Sequence, residues 1–141
     1  SLEQVIFLAV LMPIIASMGG VAATQTLTIT VRGLALGQIV KANYLYLFNR
    51  ELIVGISNGF LWAVILSLIA CTWFQDWLLA WVICLSMIIN LTAGVLSGMG
   101  ITILLRSLKL DPAVAGSVIV TTVTDVIGFF SFLGLASYFY S

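Results

Sequence analysis

Four apolar stretches, each long enough to cross a bilayer, leave little of this chain for anything else. They run over about 3–35, 51–74, 77–105 and 112–140, and roughly 20 apolar residues suffice for one crossing. Within hydrocarbon, every backbone N–H and C=O must be satisfied inside the protein, so a lone apolar span folds as a helix. The expected fold class is therefore all-α: a polytopic transmembrane helix bundle forming a single domain over residues 1–141, with no soluble regulatory domain among them. Composition agrees. Of 141 residues, 62% are hydrophobic and 7% charged, where a soluble domain carries about 25% charged residues.

The links between spans carry the orientation signal. Residues 37–50 form the most polar part of the chain, with Asn43, Tyr44, Tyr46 and Asn49 suited to a membrane interface. Gln75-Asp76 is a minimal turn. Arg106 to Leu110 is a short polar link, and Asp111-Pro112 marks a sharp helix start, an N-cap followed by proline at the first helical position. The first span is long for one crossing, and Pro13 with Gly19-Gly20 predicts a kink or break in it. With four spans, Arg32, Lys41, Arg50, Arg106 and Lys109 all fall on one side. The positive-inside rule then puts the first and third links in the cytoplasm and both chain ends outside, in a multi-pass protein of the plasma or inner membrane. Trp73, Trp77, Trp81, Tyr138 and Tyr140 sit at the outer ends, as an aromatic belt does. Ser1-Leu2-Glu3 has no basic region of the signal-peptide kind. An outward N-terminus without such a signal suits a chain preceded by one further helix.

Several chemistries are excluded. There is no histidine, so the commonest general base and metal ligand are absent. Cys71 and Cys84 lack metal-site or redox spacing and read as small hydrophobes. A net charge of zero, without a basic stripe, argues against nucleic acid. An intramembrane aspartyl protease needs two facing carboxylates, and only Asp125 is available. No enzyme reading survives.

Asp125 interrupts the fourth span, in SVIVTTVTDVIGFF. A carboxylate at mid-bilayer costs at least ~2.5–3.5 kcal/mol on insertion scales, and intramembrane ionisable residues are functional by default. Helical spacing puts Ser117, Thr121, Thr124, Asp125 and Gly128 on one stripe, with Thr122 at its edge and Val118, Ile119, Val126, Phe130 and Leu133 opposite. That stripe must face protein or water. It predicts a cation path with Asp125 as ligand and Ser117, Thr121, Thr124 and Gly128 lining it. The bland alternative is an aspartate hydrogen-bonded to a neighbouring helix. One carboxylate is thin for a divalent ion, whereas a two-fold dimer supplies two. Mg²⁺ keeps much of its water and is held by one or two carboxylates. Mn²⁺ or Co²⁺ would accept the same oxygens.

Gly19, Gly20, Thr24, Gln25 and Thr28 in the first span, and Asn90, Gly94, Gly98 and Gly100 in the third, suit close helix packing first and a pore second. Gly55, Asn58 and Gly59 in the second span read the same way. Arg50-Glu51 reads as an interfacial pair. A weak echo at an offset of 74 residues, from Ile14–Leu36 to Ile88–Leu110, suggests a parallel repeat.

The string LKLDPAVAGSVIVTTVTDVIGFFSFLGLA, residues 108–136, closely resembles the last transmembrane helix of the MgtE magnesium channel family. Residues 5–39 resemble that family's second helix. The resemblance covers the whole chain, as helices two to five of a five-helix pore domain. It implies a homodimer with the pore on its two-fold axis and Mg²⁺ bound by the aspartate matching Asp125. It also implies membrane lipid as surroundings, a first helix, and cytoplasmic regulatory domains outside these 141 residues. Two positions depart from the family pattern in the second helix. Where it commonly reads GGNxGxQ, this chain has Val21 for the asparagine and Ala23 for the later glycine. In the last helix, Ser117 stands where an asparagine is frequent. Two rival functions remain open from the residues: a proton- or Na⁺-coupled carrier with Asp125 as protonation site, and a non-conducting membrane assembly module.

Overall fold

The computed structural model describes residues 2–75 and 77–140. Four long α-helices follow one another: α1 (Leu2–Ala35), α2 (Tyr44–Phe74), α3 (Trp77–Ser107) and α4 (Pro112–Tyr140), with one 3₁₀ turn, Lys41–Asn43, leading into α2. All four contain segments long and apolar enough to cross a membrane, and the described residues form no strand. The membrane-spanning, all-helical expectation is met.

Two boundaries differ from the sequence reading. α1 runs uninterrupted past Pro13 and Gly19-Gly20, so the expected break is absent. Proline costs a helix one backbone hydrogen bond, and packing on neighbouring helices can carry that in a membrane. α2 begins at Tyr44 rather than near 51. Its first turns hold exposed Leu45, Tyr46, Asn49 and Arg50, and a helix can leave the hydrocarbon without ending. That extension also changes Glu51. It does not pair with Arg50: Arg50 is exposed, while Glu51 is 7% exposed on another face of α2.

The hairpin joining α2 to α3 is closed by Gln75, left-handed at φ 55°, whose N–H donates to Cys71 C=O at 2.9 Å. Asp76, placed in this turn by the sequence, lies outside the described residues. Trp73, Trp77 and Tyr138 are all strongly exposed, and together with Trp81 they gather at the end opposite the basic residues.

α3 is the centre of the bundle and packs against α1, α2 and α4. α1 and α4 also pack on each other, while α2 rests on α3. The reason lies in α3's residues. One stripe of its buried residues, Ser86, Asn90, Gly94, Gly98 and Thr102, repeats every fourth residue and is small or polar. Close approach follows. A Cβ at Gly94 would lie 2.6 Å from Gly19 C=O, and one at Gly98 2.5 Å from Ala23 C=O, both inside contact distance. Backbone-to-backbone contact of this kind is how helices associate where lipid is as apolar as leucine. Buried hydroxyls are satisfied locally: Ser86 donates to Val82 C=O at 2.6 Å and Thr102 to Gly98 C=O at 2.6 Å.

Asn90 is fully buried. Its Nδ2 donates to Ile15 C=O on α1 at 2.8 Å, and its Oδ1 has no partner. Interhelical side-chain bonds in membranes average about 0.6 kcal/mol, and the unpaired oxygen offsets part of that. Asn90→Ala should therefore lower stability by less than about 1.5 kcal/mol, cavity included. A melt in detergent micelles that drops by more than ~10 °C would refute that estimate.

Candidate functional site

Between α1 and α4 runs an open groove of about 640 Å³. Ser17, Gly20, Thr24, Gln25 and Thr28 line it from α1, on the 3–4 spacing of one helical face, with Ala16, Val21 and Ile29 supplying the apolar remainder. Thr121 and Asp125 line it from α4. Asp125 lies near the midpoint of the 29-residue α4 and is half-buried.

The chemistry of this lining is acceptor-rich. Thr24 donates its hydroxyl to Gly20 C=O and Thr28 to Thr24 C=O, both at 2.9 Å. A threonine hydroxyl has one proton and two lone pairs. With the proton committed to the backbone, each of these oxygens turns only lone pairs toward the groove. The side chains of Ser17, Gln25, Thr121 and Asp125 make no hydrogen bond with another described residue. A carboxylate, an amide and a row of hydroxyl oxygens suit a cation, and they suit still better the outward-pointing protons of a hydrated one.

The stripe expected on α4 divides. Asp125 and Thr121 face the groove, whereas Thr124 is fully buried, donating to Val120 C=O at 3.1 Å and Thr121 C=O at 3.0 Å. Its methyl packs where a Cβ at Gly94 would meet it at 3.4 Å. Gly128 is likewise inside the bundle, against Asn90 and the backbone of Ala16. Thr124 and Gly128, expected to line a path, thus stand in interhelical packing within one chain. Ser117 lines an adjoining recess nearer the basic end, which shares Thr24 and Thr28 with the groove. Thr122 donates to Val118 C=O on the exposed face.

The first- and third-span residues also separate. Gly20 and Gln25 are on the groove, while Gly19, Asn90 and Gly94 are buried in the α1–α3 contact. A Cβ at Gly19 would overlap the Asn90 carboxamide. The sequence reading ranks Thr24 and Thr28 as packing first and pore second, and does not single out Ser17. The signal for them exists, since they lie on the same helical face as Gln25. Val21, where the resembling pattern has asparagine, also faces the groove, and Ala23 is buried. No group of three or more potential His, Cys, Asp or Glu metal ligands occurs among the described residues.

Comparison with known proteins gives a consistent result. Residues 12–135 match the MgtE family model, described as a divalent cation transporter. The chain is 33% identical, over 99% of its length, to the magnesium transporter MgtE of Bacillus subtilis, and 30% identical over 94% to that of Enterococcus faecalis. It is 30% identical over 96% of its length to that of Thermus thermophilus. It spans about a third of these relatives, 31%, 29% and 30% of their lengths.

Proposed function

Because the chain belongs to the MgtE family of divalent cation transporters, we propose that the α1–α4 groove is one half of a path for Mg²⁺, with Asp125 as its binding carboxylate. The observation that carries this is the pairing of a mid-membrane carboxylate with hydroxyl oxygens whose protons are committed elsewhere. A carboxylate and an amide without partners among the described residues, Asp125 and Gln25, are costly to leave facing acyl chains. A second copy related by a two-fold axis along the membrane normal would close the groove and bring a second Asp125 to the opposite wall. Two carboxylates balance a +2 ion, and a wide hydroxyl-lined path accommodates the water shell that Mg²⁺ releases reluctantly.

Each part has its own test. In protein carrying Cys71→Ala and Cys84→Ala, Thr121→Cys should form an intermolecular crosslink in lipid with a bifunctional thiol reagent long enough to cross the path, since a direct disulfide needs Cβ atoms within about 4.5 Å, and bound Mg²⁺ should slow it. Val118→Cys, 70% exposed on another face, should not form one. Monomer alone from Thr121→Cys would remove the shared axis. Mg²⁺ flux that persists undiminished in Asp125→Asn would remove the ligand. A coupled carrier would need a proton or Na⁺ gradient for net flux, whereas a channel passes Mg²⁺ down its own.

A further inference from the structure

The groove continues beyond Thr28. A recess of about 310 Å³ shares Thr24 and Thr28 with it and extends toward the basic end past Val31, Arg32 and Ser117. Among all residues lining the two recesses, only Asp125 and Arg32 are charged. Arg32 lies in the last turn of α1 and is exposed. Helical Cα–Cβ bonds tilt toward the N-terminus, so its stem leans back over Thr28 and into the recess. Its guanidinium makes no hydrogen bond or ion pair with a described residue, and the helix C-terminus favours the positive charge there. Gly20 sits against Thr121 and Thr124, and Arg32 is twelve residues further along α1, roughly 18 Å at 1.5 Å per residue. The path therefore has a negative charge at mid-membrane and an unpaired positive charge at one mouth.

We infer that Arg32 is an electrostatic barrier that limits the passage of a divalent cation through the basic mouth of the path. This rests on the groove being the ion path. A divalent cation arriving from the basic end is repelled before it reaches Asp125. One arriving from the aromatic end meets Asp125 first and must still pass Arg32 to leave. A unit positive charge about 10 Å from a +2 ion, at the dielectric constant of water, lowers the ion's occupancy about fourfold. Salt reduces the effect over a Debye length of about 8 Å, and low-dielectric walls enlarge it. In a two-fold dimer two guanidinium groups would act together.

An arginine here could instead be only an interfacial anchor, and charge-conserving substitution separates the two roles. The experiment measures initial Mg²⁺ entry into right-side-out and inside-out membrane vesicles loaded with a fluorescent Mg²⁺ indicator. The vesicles carry the full-length protein, and the basic face is identified by labelling with an impermeant amine reagent. Arg32→Gln should raise Mg²⁺ entry about three- to fivefold in both vesicle orientations, since ions moving either way pass the same mouth. Arg32→Lys should match wild type. Raising external NaCl on wild-type vesicles should accelerate entry from the basic face selectively, a readout independent of how any variant folds. Unchanged rates in Arg32→Gln, with Asp125-dependent flux intact, overturn this inference alone. So does Arg32→Lys behaving like Arg32→Gln, or a salt series that moves both faces equally. Wild-type vesicles that pass no Mg²⁺ in either orientation overturn the ion-path reading and this inference with it.

Discussion

Gly98→Leu should leave no correctly packed protein, whereas Gly100→Ala should be neutral to slightly stabilising, although the two glycines are separated by one residue. A Cβ at Gly98 lies 2.5 Å from Ala23 C=O, 3.0 Å from Thr26 Cβ and 3.2 Å from Leu27 N. Two of those three neighbours are backbone of α1, which cannot rotate away as a side chain can. The helices must separate, and overpacking a close-packed interior costs about 1–3 kcal/mol even for a modest excess. Leucine adds three more carbons in the same direction, so the cost approaches the whole of a marginal folding free energy, about 5–15 kcal/mol. Gly100 has nothing within 4 Å of the corresponding point, and alanine is the better helix former there by about 1 kcal/mol. Size-exclusion profiles and thermal melts in one detergent would decide it. If Gly98→Leu is monodisperse and melts within about 2 °C of wild type, α1 and α3 are not in backbone contact. The effect would reach the groove, because Ser17, Thr24 and Thr28 are carried on the same helix that Gly98 positions.

That contact also marks where sequence stops being informative. The four spans are legible because hydropathy responds to the bilayer, a property of each segment alone. The start of α2 is not, since Tyr44–Arg50 is polar yet helical: composition reports depth in the membrane, not where hydrogen bonding ends. Glu51 follows from the same displacement, and its burial depends on a helix turn that composition hides. On α4, Asp125 and Thr121 are legible as groove residues from helical spacing. Thr124 is not, because at 100° per residue it lies about 100° from Asp125, at the other edge of the stripe. Which edge meets open space and which meets α3 depends on Gly94 and Asn90, residues of another helix. Ser17, Thr24 and Thr28 form a stripe as regular as that on α4, but without a charge it resembles packing. Only the aspartate opposite gives it a chemical meaning.

Asp125→Asn should reduce Mg²⁺ flux at low millimolar Mg²⁺ by at least about thirtyfold while leaving the fold intact. Asparagine keeps the shape and one acceptor oxygen, so what is removed is charge. A +2 ion about 5 Å from a carboxylate, the spacing of one bridging water, is held by about 1.7 kcal/mol even at the dielectric constant of water. Each 1.4 kcal/mol is about tenfold. With a copy on each side of the axis the substitution removes two such terms, which gives roughly a 300-fold loss of affinity before any gain from lower local polarity. Flux falls less than affinity when the path is partly saturated, hence the smaller bound. Asp125→Glu keeps the charge on a longer stem and should fall between. Glu51→Gln removes a buried carboxylate that does not line the groove and should stay within about twofold of wild type. The decisive measurement uses a tandem dimer in which one wild-type copy is linked to one copy carrying Asp125→Asn. If both carboxylates share the ion, its affinity should fall about midway on a logarithmic scale between the two parents. Affinity equal to wild type would mean that one carboxylate suffices and the two-fold axis is not where the ion sits. Flux in the doubly substituted Asp125→Asn dimer within about twofold of wild type would take the carboxylate out of the path altogether.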